Sequence, residues 1–180
     1  MAKDHDPRRL DVRRFAEEGA ELEAADGLRE YRRLVAETEG GDLSREVRWH
    51  ARGELLNPHH HQAQVWLHLD ADVSLPLVCQ RCLGPVDVPL EVSRSFRFVA
   101  DESVAAAEDD AAEEDLLALS HSFDLKELVE DELLMEVPLA PRHDVCPEPV
   151  KMSAADAGFE EAVAEKEHPF AVLGRLKTGK

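Results

Sequence analysis

The sequence predicts an α+β domain: an antiparallel β-sheet with a long hairpin, a packed C-terminal helix and a helical N-terminal segment. Three observations carry this reading. Val65, Leu67, Leu69, Ala71, Val73, Leu75 and Leu77 occupy every second position, with His68, Asp70, Asp72 and Ser74 between them. Val86, Val88, Leu90, Val92, Phe96 and Phe98 repeat the alternation after a short segment containing Gly84-Pro85. A period of two gives a strand with one buried and one wet face, and two such runs joined by a short turn read as a hairpin. Third, Asp124 and Glu127 form a capping-box pattern at the head of a helix over 124–136. Phe123 and Leu128 are spaced for a hydrophobic staple there, and Leu125, Leu128, Val129, Leu133 and Met135 supply the face to be buried.

The remaining elements follow in chain order. Residues 7–39 read as helical: Pro7 suits a first turn, Leu10, Val12 and Phe15 give a short apolar face, and Gly19 ends it. A second helix is expected after Asp26 as N-cap, with Leu28, Tyr31, Leu34 and Val35 at helical spacing and Gly40-Gly41 as the stop. Val47, Trp49 and Ala51 alternate as a strand, and Asn57-Pro58 marks a turn. Pro76 lacks the N–H a ladder needs, which places it at an edge or a strand end. The stretch 101–115 holds eight acids and no Lys or Arg, so a flexible loop is expected. Leu116, Leu117 and Leu119 begin a further short strand. Pro138 and Pro141 end the helix before them. Residues 1–146 are thus expected as a single domain. Residues 147–180 read as a loosely ordered tail ending in a short helical box with Pro169, Phe170, Leu173 and Leu176.

Charge limits the partners. The 180 residues contain 39 Asp and Glu against 21 Lys and Arg, a net charge of −18. That balance repels bare nucleic acid and makes DNA an unexpected partner. The imbalance lies beyond residue 52: the first 52 residues carry 11 basic and 13 acidic side chains. Direct phosphate contact would therefore fall to Arg8, Arg9, Arg13, Arg14, Arg29, Arg32 and Arg33, or to the basic C-terminal end. A solvated polar face is the plainer reading of those arginines. No apolar run is long enough to span a membrane, and the charged start has no apolar region after it, so a cytoplasmic protein is expected.

Cys79-x-x-Cys82 at the hairpin tip has the form of half a zinc knuckle, and His143-x-x-Cys146 offers a second pair. Together they would make a Cys3His structural zinc site; reduced thiols packed without metal, or a redox pair, are the alternatives. His59-His60-His61 reads as a solvated loop, since consecutive side chains diverge, and His68 lies on the wet face of its strand. Ser120-His121-Ser122 has no triad context. No nucleophile elbow, phosphate-binding glycine loop or His-Glu-x-x-His motif is present, so no catalytic residues are expected and the protein is read as non-enzymatic.

Val78-Cys79-Gln80-Arg81-Cys82-Leu83-Gly84-Pro85 resembles the hallmark of the YceD-like, large ribosomal RNA subunit accumulation family. So do Phe123-Asp124-Leu125-Lys126-Glu127-Leu128-Val129, Val137-Pro138-Leu139-Ala140-Pro141-Arg142-His143 with Cys146, and the ending His168-Pro169-Phe170-Ala171-Val172-Leu173 with Leu176-Lys177. The opening Asp6-Pro7-Arg8-Arg9-Leu10 is similar too. The resemblance covers nearly the whole chain in order. It implies a role in synthesis, processing or accumulation of 23S rRNA, and it maps the family's Cys-x-x-Cys and later His and Cys onto Cys79, Cys82, His143 and Cys146. The spacing of the last two is tighter than in many relatives. It implies no catalytic residue.

The leading expectation is a ribosome-biogenesis accessory protein. It would touch a basic ribosomal protein or rRNA-processing factor through its acidic segments and the box of Pro169, Phe170, Leu173 and Leu176, with direct 23S rRNA contact as a further possibility. The alternative is a small zinc-binding, RNA-binding protein using the N-terminal arginines.

Overall fold

The computed structural model describes residues 5–38, 42–58 and 63–147. Residues 1–145 form one compact unit and 146–180 a second. The tail box and the His59–His61 run lie outside the described residues.

Five strands form one mixed sheet in the order of the chain: β1 (Glu21–Gly27), β2 (Glu46–Leu56), β3 (Gln64–Val78), β4 (Pro85–Val99) and β5 (Asp115–Ala118). The first four pair antiparallel, each with its predecessor. β3 and β4 form the longest pairing, from Val65 opposite Phe98 to Val78 opposite Pro85, closed by residues 79–84. β5 runs parallel to β4, with Phe96 opposite Asp115. A parallel neighbour cannot be reached by a tight turn and needs a crossover; α3 (Glu102–Glu108) supplies it.

The alternation decides the two faces. Leu67, Leu69 and Leu75 on β3 are at most 1% exposed. Their cross-strand partners Ala51, Val88 and Phe96 lie on the same face. α1 (Val12–Glu17) packs on β2 and β3, and α4 (Leu125–Met135) on β3 and β4. They bury Val12, Phe15 and Ala16, and Leu125, Val129 and Leu133. The opposite face stays polar. It carries Arg48 paired with Asp72 at 2.6 Å and His68 between Glu54 and Ser95, each at 2.8 Å, while Trp66 stacks on the His68 ring. Pro76 lies past the last β2–β3 pair, Arg48 opposite Asp72, so its strand has a neighbour on one side only and loses no ladder bond on the other.

Local chemistry sets the helix ends. Asp11 caps α1 by accepting from the Arg14 N–H at 3.1 Å, and Gly19, at φ +56°, turns the chain out of it. Asp124 caps α4 through the Glu127 N–H at 3.1 Å. Phe123 meets Phe98 edge-on at 5.2 Å and exchanges two backbone hydrogen bonds with Leu10, at 2.8 and 2.9 Å. The N-terminal segment is thereby stitched to the chain entering α4.

Four expectations need correcting. Residues 21–27 are an edge strand, not helix: Leu22 and Ala24 alternate with exposed Glu21 and Glu23, and the open side of β2 offers the ladder that overrides their helical propensity. Asp26 is therefore no N-cap. A 3-10 turn (Leu28–Glu30) and α2 (Arg32–Glu37) follow it. Its carboxylate instead accepts from Tyr31 Oη at 2.8 Å and Trp49 Nε1 at 2.7 Å and pairs with Lys126 at 2.9 Å. Burial alone would raise its pKa; these three donors outweigh that and hold it below the usual carboxylate range. The acidic stretch is not a plain loop. Asp101 accepts from the Ser103 and Val104 N–H groups, capping α3, and Ala105 is buried. Arg97 draws Glu108 and Glu114 onto β4. Finally, Met135, the last residue of α4, is 71% exposed, while Leu133 two positions before it is fully buried.

Candidate metal centre

The strands β3 and β4 bring Cys79 and Cys82 to one end of the sheet. Residues 79–84 between the strands close tightly, with the Cys79 N–H donating to Gly84 O at 2.9 Å and the Leu83 N–H to Cys79 O at 2.8 Å. Leu83 takes the left-handed conformation at φ +59°, and its side chain is 76% exposed.

After α4 the prolines prevent further helix and the chain runs extended past this tip. Four hydrogen bonds to backbone atoms of this segment fix it there. The Gln80 N–H donates to Pro141 O at 2.8 Å, Arg81 Nη2 donates to His143 O at 2.6 Å and to Asp144 O at 3.2 Å, and the His143 N–H points at Cys79 Sγ at 3.5 Å.

The result joins all four residues singled out from the sequence. Cys79, Cys82, His143 and Cys146 each offer one ligand atom, and these atoms all lie within 4.8 Å of one another. A tetrahedral zinc with Zn–S near 2.3 Å and Zn–N near 2.0 Å needs ligand atoms about 3.5–3.8 Å apart. Cys82 Sγ and His143 Nδ1 stand at 3.5 Å, so the set fits after a contraction of its widest edges. The histidine is also prepared for the role. His143 Nε2 lies 2.9 Å from Pro85 O. A carbonyl only accepts, so in the neutral ring Nε2 carries the proton and Nδ1 turns its lone pair toward the thiols.

The thiols are tuned in the same direction. Cys79 has no exposed surface, and Cys82 and Cys146 are half-buried. Burial pushes the Cys79 thiol up, but the N–H groups of Cys82, His143 and Arg81 turned on its sulfur bring it down to about 5. A thiolate held by backbone donors suits a structural ion with four protein ligands.

The other histidines considered from the sequence disperse. His50 and His68 sit on the polar sheet face in contact with carboxylates. His121 lies against Asp11 at 3.4 Å, 93% exposed. The carbonyls of Pro85 and Pro141 and the clamp from Arg81 had no signal in the sequence, since backbone atoms leave no mark on residue type.

The family model described as "Large ribosomal RNA subunit accumulation protein YceD" matches residues 67–177, more than half of the chain. This chain belongs to the YceD family. The matched YceD region contains the whole Cys79, Cys82, His143 and Cys146 set. A relative named Large ribosomal RNA subunit accumulation protein YceD, from Haemophilus influenzae, is 34% identical over 108 residues, covering 58% of this chain and 61% of the relative. The chain thus spans about three fifths of the length of that curated YceD protein. No solved structure matches this YceD-family chain. Among the described residues, no helix is long and apolar enough to cross a membrane.

Proposed function

We propose that this chain supports the accumulation of large-subunit ribosomal RNA as a non-enzymatic, cytoplasmic accessory protein that works through contacts with basic ribosomal proteins or processing factors. The observation that carries the reading is the family match, which runs from β3 through the Cys and His set to residue 177. Charge supports the choice of partner. With 39 acidic against 21 basic residues, most of the surface attracts basic proteins and repels RNA. The site chemistry supports a role without catalysis. An open groove of about 970 Å³ crosses the polar sheet face past Glu23, His50, Asp70 and Glu91. It is open along the sheet, and Arg48 and Asp72 in its lining are paired with each other.

In this reading Cys79, Cys82, His143 and Cys146 hold a structural zinc that locks the segment after α4 to the hairpin tip. When bound, such an ion contributes folding energy and no reaction.

The test is removal of the protein from its own cells, with large- and small-subunit rRNA quantified and the retained proteins identified from a tagged copy at low salt. A selective fall in large-subunit rRNA, with basic ribosomal proteins or processing factors retained, is expected. Unchanged rRNA would overturn the role; a fall in rRNA with no basic protein retained would overturn the mode of action alone.

A further inference from the structure

The fold collects arginines that the sequence scatters. Arg8 from the N-terminal segment, Arg29 from the 3-10 turn, and Arg32 and Arg33 at the start of α2 line one groove of about 530 Å³, with Glu30 and Glu130 as its acids. In a chain of net charge −18 this is an unusual place.

The acids there are already engaged. The Glu130 carboxylate accepts from the backbone N–H groups of Arg33 at 2.7 Å and Leu34 at 3.3 Å, and from Arg33 Nε at 3.1 Å. Arg33 also reaches Asp131, which fixes its guanidinium at the wall. Glu30 is shared between Lys126 at 3.1 Å and Arg8 at 3.7 Å. Among the described residues, no salt bridge within 4 Å holds Arg29 or Arg32, although Asp42 lies within electrostatic reach of Arg29; both arginines are exposed. Both line the same groove, so an anion held there meets two positive charges at once. The planar fork of a guanidinium matches the oxygens of a phosphate.

We propose that this groove is a binding site for backbone phosphates of RNA, with Arg29 and Arg32 as the contacting residues and Arg8 as a third, looser contact. RNA as the source of the phosphate rests on the reading of the chain as a large-subunit RNA factor. The contact is local: acidic surface elsewhere repels the rest of the strand, so binding is weak and strongly salt-dependent. Arg14 is committed to Glu18 at 3.0 Å, and Arg9 and Arg13 lie outside the groove. The structure thus selects a different subset of arginines from the N-terminal four nearest in sequence.

The experiment measures fluorescence anisotropy of a labelled single-stranded RNA of mixed sequence with the full chain across a salt series. It compares the unaltered protein, R29Q with R32Q, and R9Q with R13Q as a control pair. We expect the first pair to weaken binding about tenfold or more and to lower the slope of log K against log salt by about 0.7 for each lost contact. Its melting temperature should not change, and the control pair should bind as the unaltered protein does. Equal weakening by the two pairs, unchanged binding by R29Q with R32Q, or no RNA binding by the unaltered protein would overturn the site. So would a labelled poly-glutamate peptide that competes fully with RNA for these arginines at equal charge, which would assign the groove to an acidic protein. If the site fails in this assay while loss of the protein still lowers large-subunit rRNA, the accessory role stands without it.

Discussion

Leu83 shows how much one residue's conformation can cost. A left-handed backbone brings Cβ close to the following carbonyl and costs a side-chain-bearing residue roughly 1–2 kcal/mol. Leu83 sits there at φ +59°, and its exposed side chain recovers little by burial. The backbone N–H is what the tip needs, since it closes the turn on Cys79 O. Glycine would keep that bond without the steric cost, at the expense of a more flexible unfolded chain. Leu83→Gly is therefore expected to raise stability by about 0.5–1 kcal/mol in urea unfolding; a loss of stability would show that the Leu83 side chain makes a contact worth more than the strain. At the same scale, the tautomer of His143 is set by one carbonyl, that of Pro85, and no inspection of residue types would find it.

At the scale of elements, the docking of α1 onto β2 depends on an absent side chain. A Cβ on Gly53 would lie 2.7 Å from the Phe15 ring and 2.8 Å from Phe15 backbone atoms. The backbone of α1 cannot give way alone, because Gly53 N–H also donates to Ala20 O at 2.9 Å just beyond the helix. Gly53→Ala must push α1 off the sheet, and an expected loss of about 2–3 kcal/mol follows, by analogy with overpacked cores. Thermal or denaturant unfolding checks it, and an unchanged midpoint would mean that α1 is free to shift. β1 and α3 belong to the same scale. Each is marginal by its own sequence, and each forms because a neighbour supplies what it lacks: the open side of β2 for β1, and the Arg97 ion pairs and β5 crossover for α3.

For the whole molecule, the Cys and His set joins residues some sixty positions apart, so an ion there would act on the unfolding of the entire sheet and not only on its tip. One equivalent of zinc is expected in the purified protein. Ligand binding to the folded state alone adds about 4 kcal/mol when free metal exceeds Kd a thousandfold, so chelation should lower Tm visibly and Cys82→Ser should abolish the dependence on chelator. A metal-free protein whose Tm ignores both zinc and chelator would instead mark the set as packed thiols. The charge of −18 acts at this scale as well: it disfavours RNA over most of the surface, which is why the proposed RNA contact is placed in a groove where arginines outnumber acids.

Features that depend on neighbours along the chain were legible in the residues alone. Period-two alternation marked β3 and β4, the Asp124 cap marked α4, and the two spaced pairs marked each half of the Cys and His set, because periodicity, capping and spacing within a pair are local; that the two halves meet was decided by packing. Packing settled the rest. Acid-rich residues 21–27 became a strand only beside β2, Asp26 became the partner of Lys126, a hundred positions away, and Arg8, Arg29, Arg32 and Arg33 came to share a groove. In each case the stabilising partner is distant in sequence, and which distant groups meet is fixed by strand pairing and helix docking that no short window of residues encodes.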